Sequence, residues 1–279
     1  MTMTSIDLVS ALRHATDDGT LVVHMQPEID LASGAVVGME ALLRWEHPAR
    51  GLLWPADFLS AADEAGLLPE IGWSVIRRCV EELVSWRSLA PLPNGASRQL
   101  WVNVSVSQLL EVDFADRLKA LIDAAGLPQG VLGLEVTEAA LATGSYAKQL
   151  LADLHDAGVA LAVDNVTSWY SWLTNIRSSS VEAVKLDRGF VRGVGSDVDG
   201  DTVVSSVINL AHSHGLRVVA EGVESWSEGA RLCELGCDRG LGYLFSGPQR
   251  PEHARMMLAH GSGWTRPSTV RIPAQSDRH

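Results

Sequence analysis

Short apolar runs alternate along this chain with longer amphipathic stretches, and the spacing of buried-type positions changes from two to 3.6 as strand gives way to helix. Strands are predicted near 21–26, 36–43, 100–106, 132–136, 160–164, 183–186, 217–220 and 242–245. Helices are predicted over 55–65, 73–89, 114–125, 147–157, 202–214 and 228–235, several closed by a glycine such as Gly126, Gly158, Gly215 or Gly236. Eight strands in this rhythm predict an α/β fold closed as a barrel. The link at 30–34 has the length of a hairpin and is too short for a helical crossover, so the first strand is expected to run antiparallel to the second. A last helix is predicted over 251–260. Residues 1–260 read as a single domain, and 261–279, with little apolar periodicity, as a flexible C-terminal tail.

Composition narrows the partners. At 279 residues and 46% hydrophobic, the chain can bury a sizeable core, and its formal net charge of −12 opposes broad binding to nucleic acid polymer or anionic membrane. A small anionic ligand stays possible where cations reverse the local field. Cys79, Cys233 and Cys237 are odd in number, and the last two lie one helical turn apart with no histidine at ligand spacing, so neither a disulfide framework nor a zinc site is expected. The chain shows no apolar run of signal-peptide or membrane-spanning length, and a cytoplasmic location is expected.

The candidate chemistry sits where strands end. Glu40, Asn103, Glu135, Asp164 and Glu221 each close an apolar run, and a sixth run ends in Lys185. Oxygen donors at successive strand ends of a barrel converge on one mouth and suit Mg²⁺ or Mn²⁺, while a lysine among them suits phosphate. Any one acidic strand end is more often solvated or paired; four in consecutive elements weaken that alternative. The set breaks at Asn165, where a second carboxylate would be most useful.

The motifs Gln26-Pro27, Glu40-Ala41-Leu42-Leu43-Arg44-Trp45, Gly51-Leu52-Leu53-Trp54-Pro55 with Phe58, Val102-Asn103-Val104-Ser105, Leu134-Glu135-Val136-Thr137-Glu138, Lys185-Leu186-Asp187-Arg188, Glu221-Gly222-Val223-Glu224 and Gly242-Tyr243 through Pro248 run in order from about Leu21 to about His260. Together they closely resemble the EAL family of cyclic di-GMP phosphodiesterases. The resemblance implies a modified TIM-type (β/α)8 barrel with an antiparallel first strand, and opening of cyclic di-GMP to linear pGpG with two Mg²⁺ or Mn²⁺ ions. It implies that Glu40, Asn103, Glu135 and Asp164 ligate metal, with Asp164 between the two ions, and that Lys185 and Glu221 hold and polarise the attacking water. Arg44 would contact a ligand phosphate, with Gln26, Leu42 and Pro248 lining the dinucleotide pocket.

Two departures accompany the resemblance. Active members usually continue the fifth strand as Asp-Asp-Phe-Gly-Thr-Gly-Tyr-Ser-Ser-Leu, whereas here Asp164-Asn165-Val166-Thr167-Ser168-Trp169-Tyr170-Ser171-Trp172-Leu173 lacks the second carboxylate and both glycines. Asn165 offers one neutral oxygen and no general base, and Glu138 loses the usual partners of its loop-anchoring role. The family's Gln-Gly-Tyr reads Leu241-Gly242-Tyr243. A lost acid or base costs about 10²–10⁴-fold, so hydrolysis is expected to be weak or absent, with one metal site favoured and the second compromised. Trp169, Tyr170 and Trp172 either pack the altered loop, present a patch to a regulatory protein, or, for Trp169, occlude the pocket; in family members this region also borders a homodimer contact. The leading expectation is a cyclic di-GMP-binding signalling protein of phosphodiesterase type. The alternatives are an active metal-dependent phosphodiesterase and a protein-binding scaffold that no longer uses the nucleotide.

Overall fold

Asp30 starts the turn that sets the barrel's topology. Its Oδ1 accepts from Ser33 N and Oγ at 2.7 Å each, Gly34 N donates to Asp30 O at 2.8 Å, and Gly34 takes φ 78°, which a side chain rarely adopts. This turn joins β1 (Leu21–Asp30) to β2 (Val36–His47) as an antiparallel hairpin. The computed structural model describes residues 5–16, 18–92, 95–137, 140, 145–164, 180–195, 198–260 and 264. The remaining strands are β3 (Gly51–Leu53), β4 (Gln99–Asn103), β5 (Leu132–Thr137), β6 (Ala160–Asp164), β7 (Ala183–Leu186), β8 (Arg217–Ala220) and β9 (Arg239–Gly240).

Parallel pairing runs β2-β4-β5-β6-β7-β8-β9, and β1 closes the barrel by pairing antiparallel with both β2 and β9. The expected α/β barrel with an antiparallel first strand is thus observed. The short β3 adds an antiparallel edge to β2. One strand is displaced from its expected place: the eighth barrel strand is Arg239–Gly240, and 243–245 forms a turn. A Cβ on Gly242 would stand 2.0 Å from Val223 O, so the chain leaves the sheet where only glycine can pass that carbonyl.

The described helices are α1 (Ser5–Ala15), α2 (Leu59–Glu64), α3 (Leu68–Ser85), α4 (Val106–Leu109), α5 (Phe114–Ala125), α6 (Ser145–Asp156), α7 (Arg188–Val191), α8 (Val198–Ser213), α9 (Trp226–Glu234) and α10 (Pro251–His260). None is long and apolar enough to cross a membrane. The stretch predicted as one helix over 55–65 splits into a 3₁₀ turn, Pro55–Asp57, and α2. Gly126 ends α5 at φ 61°. Within 261–279 only Trp264 is described; it is buried and stacks on Trp226 at 4.5 Å between ring centres.

Strand alternation divides the core in two. Outward-facing strand residues join the helices in one large apolar cluster, while Trp101, Ala160, Ala162, Ala183, Val219 and Leu241 form a separate cluster within the barrel. One tryptophan explains the small residues around it. The Trp101 ring fills the lumen, a Cβ on the facing Gly133 would lie 2.2 Å from it, and alanines supply much of the rest. A lobe of α1, α2 and β3 has its own core around Trp45 and Phe58. At the end of the barrel where the parallel strands begin, Arg239 donates to Glu28 at 2.7 Å and to Gln99 at 2.9 Å, and Arg217 donates to Gln99 at 3.0 Å and Glu182 at 2.9 Å.

Candidate active site

A period of two along each strand places the mouth residues directly above the lumen layer. Asn103 follows Trp101 by two, Glu135 follows Gly133, Asp164 follows Ala162, Lys185 follows Ala183 and Glu221 follows Val219. Glu40 pairs in register with Trp101, and Asn103 with Glu135. Six residues from six strands are brought to one opening, as the sequence predicts; five sit at or near strand ends, and Glu40 lies within the longer β2.

Lys185 is at the centre. Its side chain is 3% exposed, and Nζ lies 2.8 Å from Glu40 Oε2, 2.7 Å from Glu135 Oε1 and 2.5 Å from Glu221 Oε1. Asn103 Nδ2 donates to the other oxygen of Glu40 at 3.0 Å. The approach to Glu135 is an ion pair without hydrogen-bond alignment, so both Glu135 oxygens are buried with no hydrogen-bond partner. Burial opposes the charge on Lys185, yet Glu135, Glu221, Glu40 and Asp164 together hold its pKa well above the ordinary lysine value. Burial, then the charge of Glu40, pushes Glu135 well above the ordinary carboxylate range despite Lys185. Burial raises Glu221 from 4.5 to about 7, with Lys185 opposing and Glu40 and Asp164 adding to the rise.

The opening continues along the β1–β2 hairpin. Gln26 pairs with Glu40 and His24 with Leu42, which puts Gln26, His24, Glu40, Leu42 and Arg44 on one face. Gln26 Nε2 donates to Ser246 O at 3.0 Å, and Met25 exchanges backbone hydrogen bonds with Gln249, which sets Pro248 beside Gln26. Arg44 is only 3% exposed. Its Nη1 donates to Leu43 O at 2.7 Å, its guanidinium lies 4.0 Å from the ring centre of Trp54, and its buried Nε has no acceptor. His24 and Trp54 are additions to the expected set. Alternation from Gln26 marks His24, whose Nε2 is also buried and unpartnered; Trp54 arrives through β3, an element without a strand-like pattern. Leu241 does not line the mouth: it is 3% exposed in the lumen layer with Trp101. Asn165, Trp169, Tyr170, Trp172 and Glu138 lie outside the described residues.

With this geometry in view, a sequence model described as the EAL domain matches residues 9–248. The chain belongs to the EAL-domain family. MucR of Pseudomonas aeruginosa, a bifunctional diguanylate cyclase/cyclic di-GMP phosphodiesterase, is 33% identical over 91% of this chain and 36% of its own length. An uncharacterized Mycobacterium tuberculosis protein is 35% identical over 91% of this chain and 40% of its own. This EAL domain thus spans about two fifths of the length of such relatives. Among solved structures, the MucR phosphodiesterase in complex with c-di-GMP superposes with a TM-score of 0.81 at 31% identity, covering 88% of this chain and 99% of that one. The FimX EAL domain from Pseudomonas aeruginosa bound to c-di-GMP gives 0.79 at 26% identity, covering 87% and 96%.

The donor chemistry of this EAL domain fits a hard divalent ion. Glu40, Asn103, Glu135 and Asp164 can each offer oxygen, and the two Glu135 oxygens, paired in charge with Lys185, accept no hydrogen bond, which leaves them lone pairs for a further cation. As the side chains stand, no three acidic, histidine or cysteine residues among those described form a ready cation site, and the glutamates close on Lys185.

Proposed function

We propose that this EAL domain binds cyclic di-GMP across the barrel mouth and hydrolyses it to linear pGpG weakly or not at all. Arg44 carries the reading. A buried guanidinium with no carboxylate within 4 Å among the described residues, and with Nε unanswered, stands on the same strand as Glu40. Such a group asks for an anionic acceptor, and a phosphodiester supplies one. The named relatives and the bound MucR and FimX structures support that choice of anion.

Glu40, Asn103, Glu135 and Asp164 would hold Mg²⁺ or Mn²⁺, which when bound polarises a phosphoryl oxygen and acidifies a water. Arg44 fixes the phosphate. Lys185 keeps the glutamates gathered and offers its ammonium to charge developing on the phosphoryl group. Glu221, with a pKa near 7, exchanges a proton at neutral pH and serves as base toward a water at the mouth. Reduced turnover follows from Asn165, which withdraws one anionic donor from the second ion. A cytoplasmic setting accords with this chemistry.

Calorimetry with cyclic di-GMP and Ca²⁺ or Mg²⁺ tests binding, and absence of heat at tens of micromolar ligand refutes it. Chromatography of the products with Mg²⁺ or Mn²⁺ at high protein concentration tests the second half. Turnover matching that of the MucR phosphodiesterase would establish an active enzyme instead.

A further inference from the structure

We propose that a groove at the end of the barrel opposite the mouth is a second binding site, one that takes a small carboxylate with an apolar body. The groove encloses about 340 Å³ between the end of α3 and the segments entering β4 and β5. Leu83, Trp86, Leu89, Leu127 and Val131 form its apolar wall, and Arg87 and Arg98 flank it.

Three observations point to this ligand. Neither arginine has a carboxylate within 4 Å among the described residues, although the chain carries 34 acidic and 22 basic side chains. Backbone carbonyls hold them in place instead: Arg98 donates to Ala90 O at 2.5 Å and Leu258 O at 3.0 Å, and Arg87 to Ala125 O and to Gly126 O at 2.7 Å. Two donors on the lining, Trp86 Nε1 and Arg98 Nε, are buried with no acceptor, and Trp86 is 6% exposed. Desolvated N–H groups of this kind are costly unless something accepts from them. A carboxylate supplies the acceptor and the missing counter-charge together, and its apolar body covers the leucine wall, which an inorganic anion would leave wet. No part of this groove belongs to the mouth, so the proposal stands apart from nucleotide binding.

Octanoate is the probe. The ¹⁵N-labelled full chain is titrated while the indole N–H signals are followed, with Trp86→Phe assigning the signal of Trp86. The expected result is saturable movement of the Trp86 signal with the other indoles unmoved, and binding of octanol and of inorganic phosphate at least about tenfold weaker. Arg98→Gln should raise the dissociation constant about tenfold. Arg87→Gln, an exposed site, should raise it too and carries the test if the first variant misfolds. A Trp86 signal that stays put in millimolar octanoate overturns the proposal. So does octanol or phosphate that matches octanoate, or an unchanged affinity in both arginine variants.

Discussion

At the floor of the barrel two arginines, Arg217 and Arg239, meet two glutamates, Glu182 and Glu28, and Gln99 joins the pairs. At the mouth one lysine faces Glu40, Glu135, Glu221 and Asp164. Both clusters are polar and at least partly buried, and both are built from side chains on or beside the barrel strands. They differ in charge balance. The floor matches each cation with an anion, which is how a fold tolerates charge in its interior. The mouth keeps an excess of acidic side chains around one ammonium, an arrangement that costs stability. The first cluster closes the barrel; the second is poised to bind.

The comparison is tested most strongly at the floor. Arg239→Ala removes the ion-pair partner of Glu28, which is 1% exposed, and leaves that carboxylate buried with only the more distant charge of Arg217. The expected loss is about 3–5 kcal/mol, read by urea denaturation. Glu135→Gln at the mouth should go the other way and raise the melting temperature, because it removes a charge that burial and Glu40 disfavour while Glu40 and Glu221 still hold Lys185. If both substitutions destabilise equally, the contrast between the two ends fails.

The lumen layer between them gives the next effect. Leu241 stands where active family members have glutamine, and here its side chain packs with Trp101 and Val219. Leu241→Gln would place an amide in that apolar layer, at a cost of about 1–3 kcal/mol, without raising turnover of cyclic di-GMP. A variant of unchanged stability with faster turnover would show that this side chain turns to the mouth after all.

Much of this architecture is legible in the sequence because period-two alternation fixes both faces of a strand. Once Glu40, Asn103, Glu135, Asp164, Lys185 and Glu221 are recognised as closing successive apolar runs, their convergence follows. What is illegible depends on packing across the barrel. Gly133 and the alanines at 160, 162 and 183 look like weak strand residues until Trp101 is seen to fill the space they leave. Gly242-Tyr243-Leu244-Phe245 reads as a strand, but the passage of Gly242 past Val223 O turns it out of the sheet. The place of Trp54 at the site escapes because three-residue β3, which it follows, is too short to show a period. The pairing of Glu28 with Arg239 joins residues 211 apart, which no local pattern reports.

The mouth also predicts a pH dependence. Glu221 is raised from 4.5 to about 7, so between those values the folded chain keeps a proton that the unfolded chain releases. Its contribution to stability is therefore fully present below about 4.5 and is lost as pH rises to about 7. Relative to wild type, Glu221→Gln should gain stability across that window, on the order of 1 kcal/mol given the partial exposure of the side chain. Melting temperatures from pH 4 to 8 provide the measurement. Parallel curves for the two proteins would show that the carboxylate is not strained by its neighbours.

Arg44 fits neither end, and that makes it the finest test. Its charge is answered by an aromatic face, not by a carboxylate, and Trp54 is 47% exposed at the rim. A carboxylate in that place would compete with a ligand phosphate for the same donors. An aromatic ring orients the guanidinium from one side and leaves its edge available. Trp54→Ala should thus weaken cyclic di-GMP binding about two- to thirtyfold, the range of a cation–π contact between exposed and desolvated settings, with little change in melting temperature. Trp54→Phe should recover part of the loss, because a smaller ring keeps a weaker negative face. Arg44→Ala should remove nearly all binding whichever residue occupies position 54. If Trp54→Ala binds as tightly as wild type while Arg44→Ala does not, the packing of the β2 strand alone holds the arginine, and Trp54 is only its cover.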